Sequence, residues 1–147
     1  MEVQPDFKEL LKLFNVHKVE YIIVGGYAVA FHGAPRYTGD IDLFIKAARE
    51  NARCVLKALV DFGFGSLELT ESDFSKSEQV IQLGVPPVRI DLITSLTGVT
   101  WDQAEANKES GYYGDVPVFY IGREHLLANK KATGRKRDLA DLESLGE

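Results

Sequence analysis

The chain has 147 residues, of which 45% are hydrophobic, and carries a formal net charge of -5. This length suits a single domain over residues 1–147, and the negative charge argues against a general nucleic-acid coat protein. The single cysteine, Cys54, excludes an internal disulfide framework and a cysteine-based zinc site. Because no apolar stretch approaches the roughly 18 residues of a membrane helix, we expect a cytoplasmic protein without membrane contact.

Helix and strand patterns alternate along the chain. Apolar residues at three-to-four spacing indicate helices, and short apolar runs bounded by Gly or Pro indicate strands. In chain order, the sequence predicts a helix after Asp6, a strand over 21–24, a short helix over 27–32, a strand over 40–45, a helix over 48–62, strands over 79–83 and 88–93, a short helix over 101–108, a strand over 116–121, and helices over 123–131 and through Leu139 to Leu145. We therefore expect an α/β (α+β) fold, a mixed β-sheet with helices packed against it.

Two aspartates interrupt the apolar strand DIDLFI at residues 40–45. Alternate side chains of a strand face opposite sides, so Asp40 and Asp42 share one face, about 7 Å apart along the strand. The same alternation in VRIDLI, residues 88–93, turns Asp91 away from the apolar positions. If the two strands are neighbours, three carboxylates converge and repel one another unless a cation binds. Hard oxygen ligands select Mg²⁺ or Mn²⁺, so the pattern predicts a divalent-metal site.

Spacing alone does not separate this metal site from a solvent-facing strand edge, which also carries alternating Asp residues. The third aspartate, Asp91, favours the metal site. So do Gly25 and Gly26, which lie between a strand and a helix start, where backbone N–H groups bind phosphates. Metal ligands beside a phosphate-binding turn indicate a nucleoside triphosphate. The sequence contains neither GxxxxGK[ST] nor a GxGxxG with a suitable acidic partner.

The segment VGGYAVAFHGAPRYTGDIDL, residues 24–43, resembles the nucleotidyltransferase fold of the DNA polymerase β superfamily, with Asp91 in the position of its third acidic residue. Within that superfamily it looks most like the small bacterial AbiEii-type toxin nucleotidyltransferases, and more distantly like the minimal and antibiotic-modifying nucleotidyltransferases. The tail NKKATGRKRDLADLESL, residues 129–145, is similar to the Lys, Arg, Arg-Asp, Asp pattern near the end of AbiEii-like proteins.

The resemblance implies a role for each matching residue. It implies catalytic residues at Asp40, Asp42, Asp91 and Lys130, of which the three aspartates are also the metal ligands. It implies nucleotide-binding residues at Gly25, Gly26, Arg36, Thr38, Arg137 and Asp138. Asp91 would also help to deprotonate the attacking hydroxyl group, in a two-metal mechanism with Mg²⁺ or Mn²⁺. The commoner superfamily form has Ser after the first Gly, so Gly26 removes one hydroxyl group from the phosphate site.

The basic run KKATGRKR, residues 130–137, has two interpretations. On charge alone it is a solvated surface, because most surface charge runs have no partner. Its position in the tail pattern favours Lys130 and Arg137 as functional residues, and leaves Lys131, Arg135 and Lys136 as weaker candidates.

The resemblance implies an enzyme that transfers a nucleoside monophosphate from an NTP to a hydroxyl group of RNA or protein, as the toxin-like half of a toxin-antitoxin pair. Two alternatives stay open. In the first alternative, the acceptor is a small molecule such as an antibiotic. In the second, the domain is catalytically weak and binds a nucleotide or a partner protein as an antitoxin. Many relatives carry an extra helical domain that receives the acceptor, so we expect a partner protein or a homo-oligomer to supply that surface.

Overall fold

A six-stranded β-sheet with helices packed on it organises the chain, which a computed structural model describes over residues 3–147. The strands are β1 (Tyr21–Val24), β2 (Asp40–Ile45), β3 (Val80–Leu83), β4 (Arg89–Ile93), β5 (Glu109–Tyr113) and β6 (Val116–Tyr120). The helices are α1 (Pro5–Val16), α2 (Gly25–Phe31), α3 (Arg49–Leu59), α4 (Glu71–Ser75), α5 (Trp101–Ala106), α6 (Arg123–Thr133) and α7 (Lys136–Ser144). The predicted α/β fold with a mixed sheet is confirmed.

The strand order is β3-β4-β2-β1-β6-β5, and the sheet mixes parallel and antiparallel pairs. Strand β2 pairs antiparallel with β1 and parallel with β4. The two edges are antiparallel hairpin-like pairs, β3 with β4 and β5 with β6, and β1 joins β6 in parallel. Strand β2 therefore lies in the interior of the sheet, beside β4, as the convergence of their aspartates requires.

Most predicted elements form within a few residues of the expected bounds, two of them differ, and two further elements were not predicted. Helix α2 begins at Gly25, so both glycines lie in its first turn and not in a loop before it. Helix α3 ends at Leu59 and continues as an irregular π-helical and 3₁₀ segment, Val60–Leu67. Helix α4 and strand β5 were not predicted, because α4 has only five residues and the largely exposed β5, ESGYY, has no buried apolar alternation.

The apolar stripe of α1 packs into the core as the helical spacing predicts. Phe7, Leu10, Leu11 and Phe14 are fully buried, and α1 packs against α3 and β6. Gln4 caps the helix by accepting a hydrogen bond from the Asp6 backbone N–H, with Pro5 at the first helical position, where a missing N–H costs nothing. Among the helices of residues 3–147, none combines the length and apolarity that crossing a bilayer requires.

The two faces of β2 differ in polarity. Ile41, Leu43 and Ile45 are fully buried on one face, and Asp40 and Asp42 lie on the other because strand side chains alternate. Burial of three branched aliphatic side chains stabilises the domain by about 1.5–3 kcal/mol each. This burial fixes the register of β2, since a shift of one residue would bring the carboxylates into the core.

Asn51, in the first turn of α3, ties this helix to the ends of β1 and β2. Its side-chain oxygen accepts a hydrogen bond from the Glu20 backbone N–H at 2.7 Å. Its amide group donates to the carbonyls of Glu20 and Lys46, both at 3.0 Å. Asn51 is only 3% exposed, so its own amide group depends on these backbone partners for its hydrogen bonds.

We predict that Asn51→Ala lowers the free energy of unfolding by about 2–3 kcal/mol, because it removes three hydrogen bonds and leaves the Glu20 backbone N–H without its partner. The carbonyls of Glu20 and Lys46 still accept hydrogen bonds from the backbone N–H groups of Lys46 and Ala48. Chemical denaturation measures this change. The matched control is Asn107→Ala, which removes one exposed hydrogen bond to the Gln103 carbonyl and should cost less than about 1 kcal/mol. Equal losses of unfolding free energy in the two variants would contradict the proposed role of Asn51 in joining α3 to the ends of β1 and β2.

Candidate active site

The three predicted carboxylates meet on the polar face of the sheet. Because β2 and β4 are parallel neighbours, Asp42 lies directly opposite Asp91, and Asp40 lies opposite Arg89. Asp40, Asp42 and Asp91 each offer one oxygen atom, and these atoms lie within 4.8 Å of one another. The convergence expected from strand alternation therefore occurs, with one side chain from β4 and two from β2.

Crowding alters the protonation of these groups in different directions. Burial, together with the charges of Asp40 and Asp91, raises the pKa of Asp42 to about 8. Burial also raises the pKa of Asp91, although hydrogen bonds from Asp42 and Arg89 oppose it. Burial opposes ionisation of Asp40 as well, but hydrogen bonds from Thr38, Asp91 and Arg89 outweigh it, so the pKa of Asp40 is lowered. Near neutral pH the cluster therefore keeps a proton on Asp42.

Arg89 supplies a positive charge inside the cluster. Its Nη2 donates to Asp40 at 3.0 Å and to Asp91 at 3.1 Å. The same interaction raises the pKa of Arg89. One guanidinium group and one proton thus partly neutralise three carboxylates whose mutual repulsion is otherwise unfavourable by several kcal/mol at reduced dielectric.

The residues of the cluster fit a divalent metal ion. Oδ1 of Asp91 is buried and has no hydrogen-bond partner among residues 3–147, which is uncommon for a buried carboxylate oxygen. The donor set consists of carboxylate oxygens, which Mg²⁺ and Mn²⁺ prefer. An unsatisfied oxygen within a group of three carboxylates is the arrangement that an added cation would complete.

The two glycines bring the backbone of α2 close to the acidic cluster. Gly25 has a φ of +67°, and a β-carbon at this position would overlap the carboxylate of Asp42. A β-carbon on Gly26 would lie 3.1 Å from the hydroxyl oxygen of Thr38 and 3.2 Å from Nη1 of Arg36. Gly25 is therefore required both by close packing against the site and by its backbone conformation, and Gly26 leaves room for the side chains of Thr38 and Arg36.

The tail residues form a chain of ion pairs beside the cluster. Arg36 binds Asp141 through two nitrogens, Nε at 2.8 Å and Nη2 at 3.0 Å. The ammonium group of Lys130 lies 2.9 Å from Asp141 and 3.2 Å from Asp138. Asp138 also accepts hydrogen bonds from the backbone and guanidinium group of Arg135. Three cations thus hold two buried carboxylates, and the network keeps one net positive charge.

Nine of the ten predicted site residues line one cleft of about 390 Å³: Gly25, Gly26, Arg36, Thr38, Asp40, Asp42, Asp91, Lys130 and Arg137. The cleft has an acidic wall on β2 and β4, and a basic wall on α6, α7 and the segment before β2. Asp138 differs from the others because its side chain is completely buried behind Lys130 and Arg135. Its carboxylate holds the basic wall in place and does not line the cleft.

Arg89 and Arg135 also line the cleft, although neither was among the predicted site residues. Strand alternation contained a signal for Arg89, since it lies two residues before Asp91 and shares its face. Arg135 was a weaker candidate within the basic run. Helix geometry explains its position, since Arg135 precedes α7 and reaches Asp138 three residues later.

No protein-family model matches the chain, and no curated protein is significantly similar to it in sequence.

Solved structures resemble the chain along nearly its whole length. A candidate nucleotidyltransferase from Thermotoga maritima has a TM-score of 0.64 at 14% identity, with 97% of this chain and 93% of that chain covered. The lincosamide antibiotic adenylyltransferase LnuA, with lincomycin bound, has a TM-score of 0.58 at 16% identity, covering 98% of this chain and 96% of that one. An antigenic nucleotidyltransferase-like protein from Paracoccidioides brasiliensis has a TM-score of 0.56 at 19% identity, covering 97% and 75%. The chain has the nucleotidyltransferase fold.

We predict that Gly25→Ala displaces Asp42 and lowers the free energy of unfolding by about 3 kcal/mol or more, through steric overlap added to a positive φ. The matched control is Gly134→Ala, at a similar φ of +61°, where the new β-carbon would make only an ordinary contact of 3.7 Å with the Lys131 carbonyl oxygen. This control should cost only about 1–2 kcal/mol of backbone strain. Chemical denaturation of both variants measures the difference. An equal loss in both would refute the close contact between Gly25 and Asp42.

We predict that the buried ion pairs of Asp138 stabilise the protein in a pH-dependent way. Burial opposes its ionisation, but hydrogen bonds from Arg135, Thr133 and Lys130 dominate and hold the pKa of Asp138 well below its ordinary value. A lowered carboxyl pKa contributes stability above the unfolded value of about 3.9, and this contribution is lost as the pH falls through the folded value. Asp138→Asn should therefore cost about 3 kcal/mol at pH 7 and progressively less below about pH 4.

Denaturation midpoints between pH 2 and pH 7 measure this effect. Asp102→Asn is the control, because Asp102 is exposed in the first turn of α5 and should change stability by less than about 0.5 kcal/mol at any pH. A pH-independent loss in Asp138→Asn would show that the carboxylate charge is not the stabilising feature.

Proposed function

We propose that this protein is a metal-dependent nucleotidyltransferase that transfers a nucleoside monophosphate from an NTP to a hydroxyl group. The observation that carries the proposal is the arrangement of one cleft with three converging carboxylates on one wall and arginine and lysine side chains on the other. A nucleoside triphosphate with its bound cation has the complementary pattern of charge. The nucleotidyltransferase fold supports the same chemistry.

Asp40, Asp42 and Asp91 would hold the divalent ion or ions, Mg²⁺ or Mn²⁺. A bound ion of this kind lowers the pKa of a hydroxyl group and stabilises negative charge on a leaving phosphate. The unsatisfied Oδ1 of Asp91 supports this role. In the absence of an ion, Arg89 balances part of the negative charge of these carboxylates.

The basic wall would bind and orient the triphosphate. Arg137 lines the cleft and has no carboxylate within salt-bridge distance among residues 3–147, so its charge is available to a phosphate. Lys130 lines the same cleft and adds positive charge while it holds Asp138 and Asp141. We also propose phosphate contacts from Arg36 and from the backbone of Gly25 and Gly26.

The transfer step would exchange one phosphorus–oxygen bond for another. The acceptor oxygen forms a bond with the α-phosphorus, and the bond between that phosphorus and the bridging oxygen to the β-phosphate breaks. Pyrophosphate leaves, and the proton of the acceptor hydroxyl passes to a carboxylate of the cluster, for which we propose Asp91. Thr38, which donates to the backbone carbonyl of Asp40 at 2.9 Å, holds the entry to β2 in position for this geometry.

The acceptor we propose first is RNA or protein, with the chain as a cytoplasmic toxin-like component that obtains further acceptor-binding surface from a partner protein or a second copy. A small-molecule acceptor is the second candidate, and two observations favour it. LnuA, named as a lincosamide antibiotic adenylyltransferase, matches this chain over 96% of its own length, without a large additional domain. A cavity of about 470 Å³ also adjoins the cleft and shares Arg36 and Thr38 with it.

We predict that the purified protein with Mg²⁺ transfers label from an α-³²P-labelled NTP to one of three acceptor sets: total RNA, cell-lysate proteins, or a panel of hydroxylated small molecules that includes lincomycin. Asp42→Asn should lower the transfer rate at least about a thousandfold, because it removes a ligand at the reacting centre. EDTA should abolish transfer, and added Mn²⁺ should restore it. Thin-layer chromatography and gels locate the label.

Asp102→Asn is the matched control and should transfer label at the wild-type rate, because its exposed carboxylate lies outside the cleft. Label on RNA or on a protein band supports the first acceptor class, and label on a small compound supports the second. Tight binding of a nucleotide or partner without any transfer would identify a catalytically weak antitoxin-like module. An unchanged rate in Asp42→Asn would refute the proposed site.

A further inference from the structure

Arg89 lies within the acidic cluster and contacts two of its three carboxylates. In the parallel pairing of β4 with β2 it stands opposite Asp40 and two residues before Asp91. A single nitrogen, Nη2, bridges the two carboxylates at 3.0 and 3.1 Å. A positively charged group of this chain therefore binds two of the three carboxylates that the proposed function assigns to a metal ion.

The bridge leaves hydrogen-bonding capacity unused on both sides. Nε of Arg89 and Oδ1 of Asp91 are buried, and neither has a partner among residues 3–147. Arg36 makes a contrasting contact, because two of its nitrogens bind the two oxygens of Asp141. A two-nitrogen fork is the stronger arrangement for arginine and a carboxylate. The Arg89 bridge is therefore the weaker of the two pairs.

The Arg89 side chain is partly exposed to solvent at the edge of the cluster. It is 31% exposed, whereas Lys130 in the neighbouring network is 4% exposed. Arg89 can therefore move toward solvent without unfolding the surrounding sheet. A divalent ion among the same carboxylates would repel the guanidinium group and compete for the oxygens that it binds.

We propose that Arg89 is an internal counter-cation of the acidic cluster, which bridges Asp40 and Asp91 when no divalent ion is bound and leaves this position when one binds. The inference rests on the proposed metal-dependent function. Arg89 is thus a positioning residue that keeps the carboxylates together in the metal-free protein. It also weakens metal binding, because each binding event must displace it.

Titration with Mn²⁺ alone, with free Mn²⁺ followed by electron paramagnetic resonance, tests the competition. Arg89→Gln should bind Mn²⁺ about tenfold more tightly than wild type, because a competing charge a few ångströms away is removed. Arg89→Lys keeps the charge and should stay within about threefold of wild type. The control Arg53→Gln removes a surface arginine that pairs with Glu71 and should leave the affinity unchanged. Equal or weaker binding by Arg89→Gln would overturn the proposal.

Thermal unfolding in EDTA provides the second readout. Without metal, Arg89→Gln should melt several degrees below Arg53→Gln, because the carboxylates lose their counter-cation. Saturating Mg²⁺ should raise its melting temperature more than that of wild type. If wild type binds Mn²⁺ and Arg89→Gln binds no more tightly, this inference alone fails. If neither wild type nor any variant binds Mn²⁺, the proposed metal-dependent function is refuted, and the proposed displacement of Arg89 is refuted as well.

Arginine Nε–Hε NMR on the wild-type protein keeps the test decisive if Arg89→Gln does not fold. Comparison with Arg89→Lys assigns the Arg89 signal. Adding Mg²⁺ should shift this signal and speed its exchange with water, because Nε leaves its buried position. A signal that stays unchanged at saturating Mg²⁺ would overturn the displacement of Arg89.

Discussion

Repulsion among carboxylates on adjacent strands is the constraint on which the rest of the site depends. The parallel pairing of β2 and β4 places Asp42 opposite Asp91, and the buried opposite face of β2 prevents either strand from shifting. The fold therefore cannot relieve the repulsion by moving apart. The repulsion between the carboxylates is instead reduced by the guanidinium group of Arg89, by the proton retained on Asp42 and, as we propose, by a divalent ion.

The basic wall of the cleft is also built around buried carboxylates. Its cations are held by Asp138 and Asp141, which are buried and have lowered pKa values, so the wall keeps its geometry and a net positive charge. Cation-binding groups on the sheet thus face anion-binding groups on the helices across one cleft. This division matches a metal–triphosphate complex, whose cation and phosphates need opposite partners.

Much of the fold and part of the site follow from local patterns. Strand alternation was sufficient to place Asp40 and Asp42 on one face of their strand, because a period of two is fixed by backbone geometry. The convergence with Asp91 required the further condition that β2 and β4 are neighbours, which the structure supplies. The steric requirement for glycine at position 25 could not be predicted from the sequence, since it depends on a contact with Asp42 on the neighbouring strand β2. The pairing of Arg36 with Asp141 joins residues 105 positions apart. Spacing along the chain carries no information on such a long-range partner, and the resemblance of the tail named its residues without their mutual contacts.

The Arg36–Asp141 fork connects the segment before β2 to the last helix of the chain. Thr38, two residues after Arg36, holds Asp40 by hydrogen bonds to its backbone carbonyl and to its carboxylate. Residues 36–40 therefore contact α7 at one end and supply the first metal-ligand candidate, Asp40, at the other. The distance between the basic wall and the acidic wall is thus set by a single five-residue segment at this end of the cleft, so a change of length in this segment would alter both walls at once.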